Sequence, residues 1–123
     1  MSPSGSFGYW APPGFWALVI LAISSLPGVE LEYLSFHWGD KTAHFAEYAV
    51  LGVLLGRLSR VSRIKRRSCQ VGSLVLGIGL AGVDELHQLF IPNRLCEWGD
   101  FLFDAAGVCT GLVAYILFMR MRR

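Results

Sequence analysis

The chain has 123 residues, of which 54% are hydrophobic and only 16% charged, and its mean hydropathy is positive. A single domain of this size with so few polar positions cannot clothe a water-soluble globule, so a soluble enzyme or binding module is excluded and the surrounding solvent is lipid. Eleven Lys and Arg against nine Asp and Glu leave a formal charge of +2, but the two signs occupy different stretches of the chain.

Four apolar stretches, at about 9–26, 40–58, 71–91 and 99–119, each approach the ~20 residues that a helix needs to cross a bilayer. Strands are excluded, because an open sheet would leave backbone groups unpaired in hydrocarbon. The sequence predicts an all-α, integral membrane four-helix bundle in one domain, 1–123. In the first helix Pro12 and Pro13 lie near the start, where a missing amide hydrogen does little harm, and Pro27 follows its end. No Lys or Arg precedes it, so it is a helix and not a signal peptide.

The second helix opens on Asp40, Lys41, Thr42, Ala43, His44, Phe45, Ala46, Glu47 and Tyr48. Asp40, His44 and Glu47 are spaced i, i+4, i+7 and share a face, with Glu47 about 10 Å along the axis from Asp40. After this helix come Arg57, Arg60, Arg63, Lys65, Arg66 and Arg67, and Arg120, Arg122 and Arg123 close the chain. An excess of basic residues marks short cytoplasmic segments, so both stretches are expected inside and the topology is N-in, C-in. Trp38 and Trp98 then fall at the outer membrane boundary and Trp10 at the inner one.

The third helix carries Asp84, Glu85, His87 and Gln88 near its outer end, followed by Pro92, Asn93 and Arg94. Its Gly77, Gly79 and Gly82 spell a dinucleotide-type glycine pattern, but inside an apolar segment and not after a strand, so that reading fails. On the fourth helix Asp100 and Asp104 form another i, i+4 pair, continued by Gly107 and Gly111. Gly52 with Gly56, and Gly107 with Gly111, have the spacing that lets membrane helices approach closely. Cys69, Cys96 and Cys109 are read as small apolar fillers, since neither a disulfide framework nor metal-type spacing is present.

Three helices thus bring acids and imidazoles to overlapping depth, and such groups must face one another or a polar cavity because facing lipid costs at least a few kcal/mol each. Packing ion pairs, such as Lys41 or Arg94 with Asp100 or Asp104, explain single residues. The whole cluster points to a functional site, since two cations cannot neutralise that many acids. Spacing supports no zinc site, and neither a metal nor another cofactor is expected.

The blocks Asp40 to Gly52, Asp84 to Arg94 and Asp100 to Gly111 (D-K-T-A-H-F-A-E-Y-A-V-L-G, D-E-L-H-Q-L-F-I-P-N-R and D-x-x-x-D-x-x-G-x-x-x-G) resemble the VanZ-like family of small bacterial membrane proteins. The family's polar signature falls here on Asp40, Lys41, His44, Glu47 and Tyr48, on Asp84, Glu85, Gln88 and Arg94, and on Asp100 and Asp104. The chain departs from it at Asp104, where many relatives have Asn, and at Asn93, where many have Gly. Because the namesake is associated with resistance to teicoplanin, a lipidated glycopeptide, the resemblance implies a role in the bacterial cell envelope.

The favoured expectation is a multi-pass protein of the bacterial inner membrane whose acidic outer-leaflet site engages a lipid-linked envelope component or a lipidated glycopeptide. Lys41 and Arg94 would hold a phosphate there. The alternatives are a hydrolase or transferase acting on a lipid phosphate and a non-catalytic subunit of a larger membrane complex. An enzyme is the less favoured reading because no nucleophile motif is present. The expected partners are membrane lipids, such an amphiphile and a larger complex, with no role for nucleic acid.

Overall fold

A computed structural model describes residues 3–25, 39–61, 65–91 and 98–123, with side chains from residue 7 in the first segment and from 41 in the second. The described residues form helices α1 (Pro3–Ser24), α2 (Gly39–Arg57), α3 (Arg66–Gln88) and α4 (Trp98–Met121), with a single 3₁₀ turn at Leu58–Arg60. They contain no strand.

The helices are longer than the apolar stretches. Helix α1 begins at Pro3, a position where proline's fixed φ suits a first turn, and this places Pro12 and Pro13 in its middle and not at its start. Each removes one intrahelical donor, which the carbonyls of Gly8 and Tyr9 would otherwise accept. Helix α3 starts at Arg66 instead of about 71, because Arg and Gln are good helix formers that hydropathy overlooks. Helix α2 ends by tightening: Ser59 Oγ donates to the Gly56 carbonyl at 2.7 Å, and the Val61 amide to Leu58 at 3.2 Å.

Three stretches, Phe7–Ser24, Arg66–Gln88 and Trp98–Met121, are long and apolar enough to cross a membrane by themselves. Helix α2 is not among these three, because its 19 residues include Asp40, Lys41, Glu47 and Arg57. It is instead the central helix. Its buried residues His44, Tyr48, Leu51 and Leu55, with Leu58 of the 3₁₀ turn that follows, alternate at spacings of four and three, and the core adds Ile20 from α1, Ala81 from α3 and Val108 from α4.

Helix α3 shows which solvent the bundle is built for. Ser73, Gly77, Ala81, Asp84, Glu85 and Gln88 face inward, whereas Val71, Val75, Val83, Leu86 and Phe90 are exposed. Small and polar groups inside with large apolar groups outside would precipitate a protein in water and suits one in lipid. Cys109 is also exposed and therefore not a core filler, while Cys69 is half-buried against the core.

Helices α2 and α4 run parallel and touch through glycine. A Cβ on Gly111 would collide with the Ala49 carbonyl, one on Gly52 with that of Val108, and one on Gly107 would lie 2.5 Å from that of Phe45. Only glycine permits so close a backbone approach. Helix α3 packs antiparallel to both: Gly77 lies under Val108, and Ser73 Oγ donates to the Leu55 carbonyl at 3.1 Å. Helix α1 is tied to α2 by Trp16 Nε1, which donates to the Glu47 carbonyl at 2.8 Å, and to the end of α3 by a 2.9 Å contact between Ser25 Oγ and His87 Nε2.

Candidate functional site

The parallel pairing of α2 and α4, with α3 antiparallel, gathers the N-terminal turns of two helices and the C-terminal turns of the third at one end of the bundle. His44 stands in the second turn of α2, Asp104 in the second turn of α4 and Asp84 one turn before the end of α3. The glycine seam sets their register, because Gly107 and Gly111 pack onto the backbone of residues 45–49, immediately below His44.

At this end His44 Nδ1 lies 3.0 Å from Asp104 Oδ1, with both side chains buried. Tyr48, one turn further along α2, donates its hydroxyl to Asp84 Oδ2 at 2.9 Å, again fully inside the bundle. Ligand-capable atoms of His44, Asp84 and Asp104 all lie within 4.8 Å of one another. Residues separated by 60 positions in the chain therefore form one polar cluster, and two oxygens in it, Asp84 Oδ1 and Asp104 Oδ2, have no partner among the described residues. Both amide atoms of Gln88, on the same face of α3 one turn beyond Asp84, are likewise buried without one.

Around this centre, Glu85 and Asp100 are also buried and Glu47 is half-buried. Asp100 occupies the first turn of α4, where the helix dipole favours an acid. Lys41 is half-buried, with its Nζ 5.9 Å above the Phe103 ring and close against Gly99 at the start of α4. The side chain of Asp40 and all of Arg94 lie outside the described residues, as does Trp38. His87 stands apart from His44, at the surface against Ser25. Trp98 is exposed at the start of α4, and Trp10 is exposed within α1.

The spacing of polar residues within each helix predicts which of them share a face. It could not show that Asp104 is the partner of His44 and Asp84 that of Tyr48, nor that an imidazole and two carboxylates from three helices reach ligand-to-ligand distance. The signal that could have indicated it is the Gly107 and Gly111 pair, which fixes how far α4 slides along α2.

The sequence profile of the family described as VanZ/LLP1 matches residues 7–119. No curated protein and no solved structure is similar enough to count as a match.

Proposed function

The chain belongs to the VanZ/LLP1 family of membrane proteins, and from that premise we propose that its buried polar cluster engages the polar head of an amphiphile, either a lipid-linked envelope component or a lipidated glycopeptide. The observation that carries this reading is the set of buried polar atoms without a partner among the described residues: Asp84 Oδ1, Asp104 Oδ2 and the Gln88 amide. In a bundle whose outer surface is apolar, each such group costs a few kcal/mol unless something supplies its missing bonds. An occupant that brings hydroxyls, amines or amides, as sugars and peptides do, meets that need, and its hydrocarbon tail stays in the surrounding lipid.

The whole chain, 1–123, acts in this reading as a single domain in the bacterial inner membrane, N-in and C-in, with the arginine-rich end on the cytoplasmic side and the acidic end in the outer leaflet. In this reading Lys41, Glu47, Glu85 and Asp100 form the rim that selects the head group, and the Asp40 side chain and Arg94, which lie outside the described residues, are expected to join them, Lys41 and Arg94 holding a phosphate.

Binding to protein reconstituted in lipid nanodiscs tests it, with a polyprenyl-linked envelope sugar and teicoplanin as the two probes. One of them should bind above the empty-nanodisc background, and Asp84→Asn should weaken that binding about tenfold or more, equivalent to ~1.4 kcal/mol. Background-level binding of both probes, or an unchanged affinity in Asp84→Asn with the fold intact, would rule the reading out.

A further inference from the structure

Among the described residues, the charge of the innermost cluster, His44 with Asp84 and Asp104, is out of balance. If His44 carries a proton, its charge offsets Asp104, 3.0 Å away, but Asp84 then remains as a second carboxylate with Tyr48 as its hydrogen-bond donor. The side chains of Asp84 and Asp104 are 0% exposed. An unbalanced charge at such a place is costly, and burial makes it more so than at any surface position.

A divalent cation removes the imbalance: neutral imidazole, two carboxylates and one doubly charged ion sum to zero. The donor set and spacing suit it as well. An ion bonded at 2.0–2.2 Å to nitrogen and oxygen donors holds neighbouring donors roughly 3.3 Å apart. The 3.0 Å between His44 Nδ1 and Asp104 Oδ1 is close to that, and ligand atoms of His44, Asp84 and Asp104, one from each, lie within 4.8 Å of one another. The two partnerless oxygens, Asp84 Oδ1 and Asp104 Oδ2, belong to the residues that would bind the ion. Tyr48 orients Asp84 from outside this set, as hydrogen-bonded neighbours of metal-binding carboxylates do.

We propose that His44, Asp84 and Asp104 bind one divalent first-row transition cation, of the Zn²⁺ or Mn²⁺ type, within the bundle. The imidazole selects this class over Mg²⁺ and Ca²⁺, which take oxygen donors. Three protein ligands leave a coordination position open, and the partnerless Gln88 amide lies one helical turn from Asp84 to bond whatever fills it. The inference goes beyond the amphiphile reading and does not rest on it, since the ion needs only residues of this chain.

Full-length protein in detergent, stripped with a chelator and desalted after incubation with Zn²⁺ or Mn²⁺, provides the test through elemental analysis of bound metal. The wild type should retain one ion per chain, undiminished by excess Mg²⁺. His44→Ala and Asp84→Asn should retain none, Tyr48→Phe should bind about 10- to 100-fold more weakly, and His87→Ala should match the wild type. Co²⁺ added to the wild type should give visible absorption bands of a low-coordinate nitrogen and oxygen site, a readout that needs no variant to fold.

A wild type that retains neither metal and gives no Co²⁺ bands overturns the proposal, and so does retention by folded His44→Ala equal to that of the wild type. No amphiphile is present in this experiment. Metal failure with amphiphile binding intact therefore removes only the ion, and the converse result removes only the amphiphile.

Discussion

The two ends of the bundle carry opposite charge and treat it in opposite ways. At the acidic end His44, Asp84, Glu85, Asp100 and Asp104 are buried, held by three helices and fixed in register by glycine contacts. At the basic end Arg60, Arg66, Arg67, Arg120, Arg122 and Arg123 line an open cavity of about 950 Å³ with Ser59 and Gln70. Charges of the second kind are solvated, and each contributes roughly 1 kcal/mol of attraction toward an anionic membrane surface. Charges of the first kind must be satisfied within the protein or by a ligand, so the difference in burial, more than the number of charges, is the reason the proposed site lies at the acidic end.

Four variants probe that contrast, read as thermal melts and folded fraction in detergent. The largest effect is expected from Gly111→Ala, because its methyl group collides with the Ala49 carbonyl and forces α2 and α4 apart. A loss of about 3 kcal/mol or more is expected, together with loss of metal and amphiphile binding. A wild-type melting point would mean that the seam is looser than described. Next comes His44→Ala, which takes away Asp104's hydrogen-bond partner at a fully buried site and should cost about 1–3 kcal/mol.

Tyr48→Phe deletes one hydroxyl bonded to Asp84 and keeps the ring in the core, so about 1 kcal/mol is expected. An effect as large as that of His44→Ala would place Tyr48 at the centre of the cluster instead of beside it. The smallest change belongs to the basic end. Arg60→Gln combined with Arg66→Gln should shift stability by no more than about 0.5 kcal/mol, while weakening adsorption to vesicles rich in anionic lipid. If this pair destabilises the fold as much as His44→Ala does, the two ends do not differ in the way their burial indicates.

Much of the fold is legible in the sequence, because each helix shows itself in a run of apolar residues broken by charged segments. Helix limits are less legible: Arg66 and Arg67 look like part of a loop yet form the first turn of α3, and Pro12 looks like a start signal yet lies mid-helix. Hydropathy records where the chain meets lipid, whereas the helix continues into the polar boundary wherever its hydrogen bonds can. Helix α2 is the instructive case. Its length and termini are close to those read from the sequence, but Asp40, Lys41, Glu47 and Arg57 keep it from the three stretches apolar enough to cross a membrane by themselves, while it supplies the core with Tyr48, Leu51 and Leu55 and leaves Val50 exposed.

The polar residues of the site are legible singly, since a buried acid on an apolar helix stands out. Their pairing is not, because the contact of His44 with Asp104 depends on how α4 slides along α2, and no pattern within one helix encodes that. The same holds for Lys41, for which phosphate binding is the natural sequence reading and which rests over Phe103.

The seam between α2 and α4 has a consequence for how this chain can vary. Where side chains separate two helices, a change of residue can be absorbed by its neighbours, but where carbonyl meets glycine there is nothing to rearrange. Gly107 and Gly111 carry no reactive group, yet an added methyl at either would push α4 outward and with it the Asp104 oxygen that His44 meets at 3.0 Å. In a saturation mutagenesis screen these two positions should therefore tolerate fewer replacements than several of the charged residues around the site, and a homologous chain with a larger residue at 111 should be found to have lost the imidazole–carboxylate pair as well.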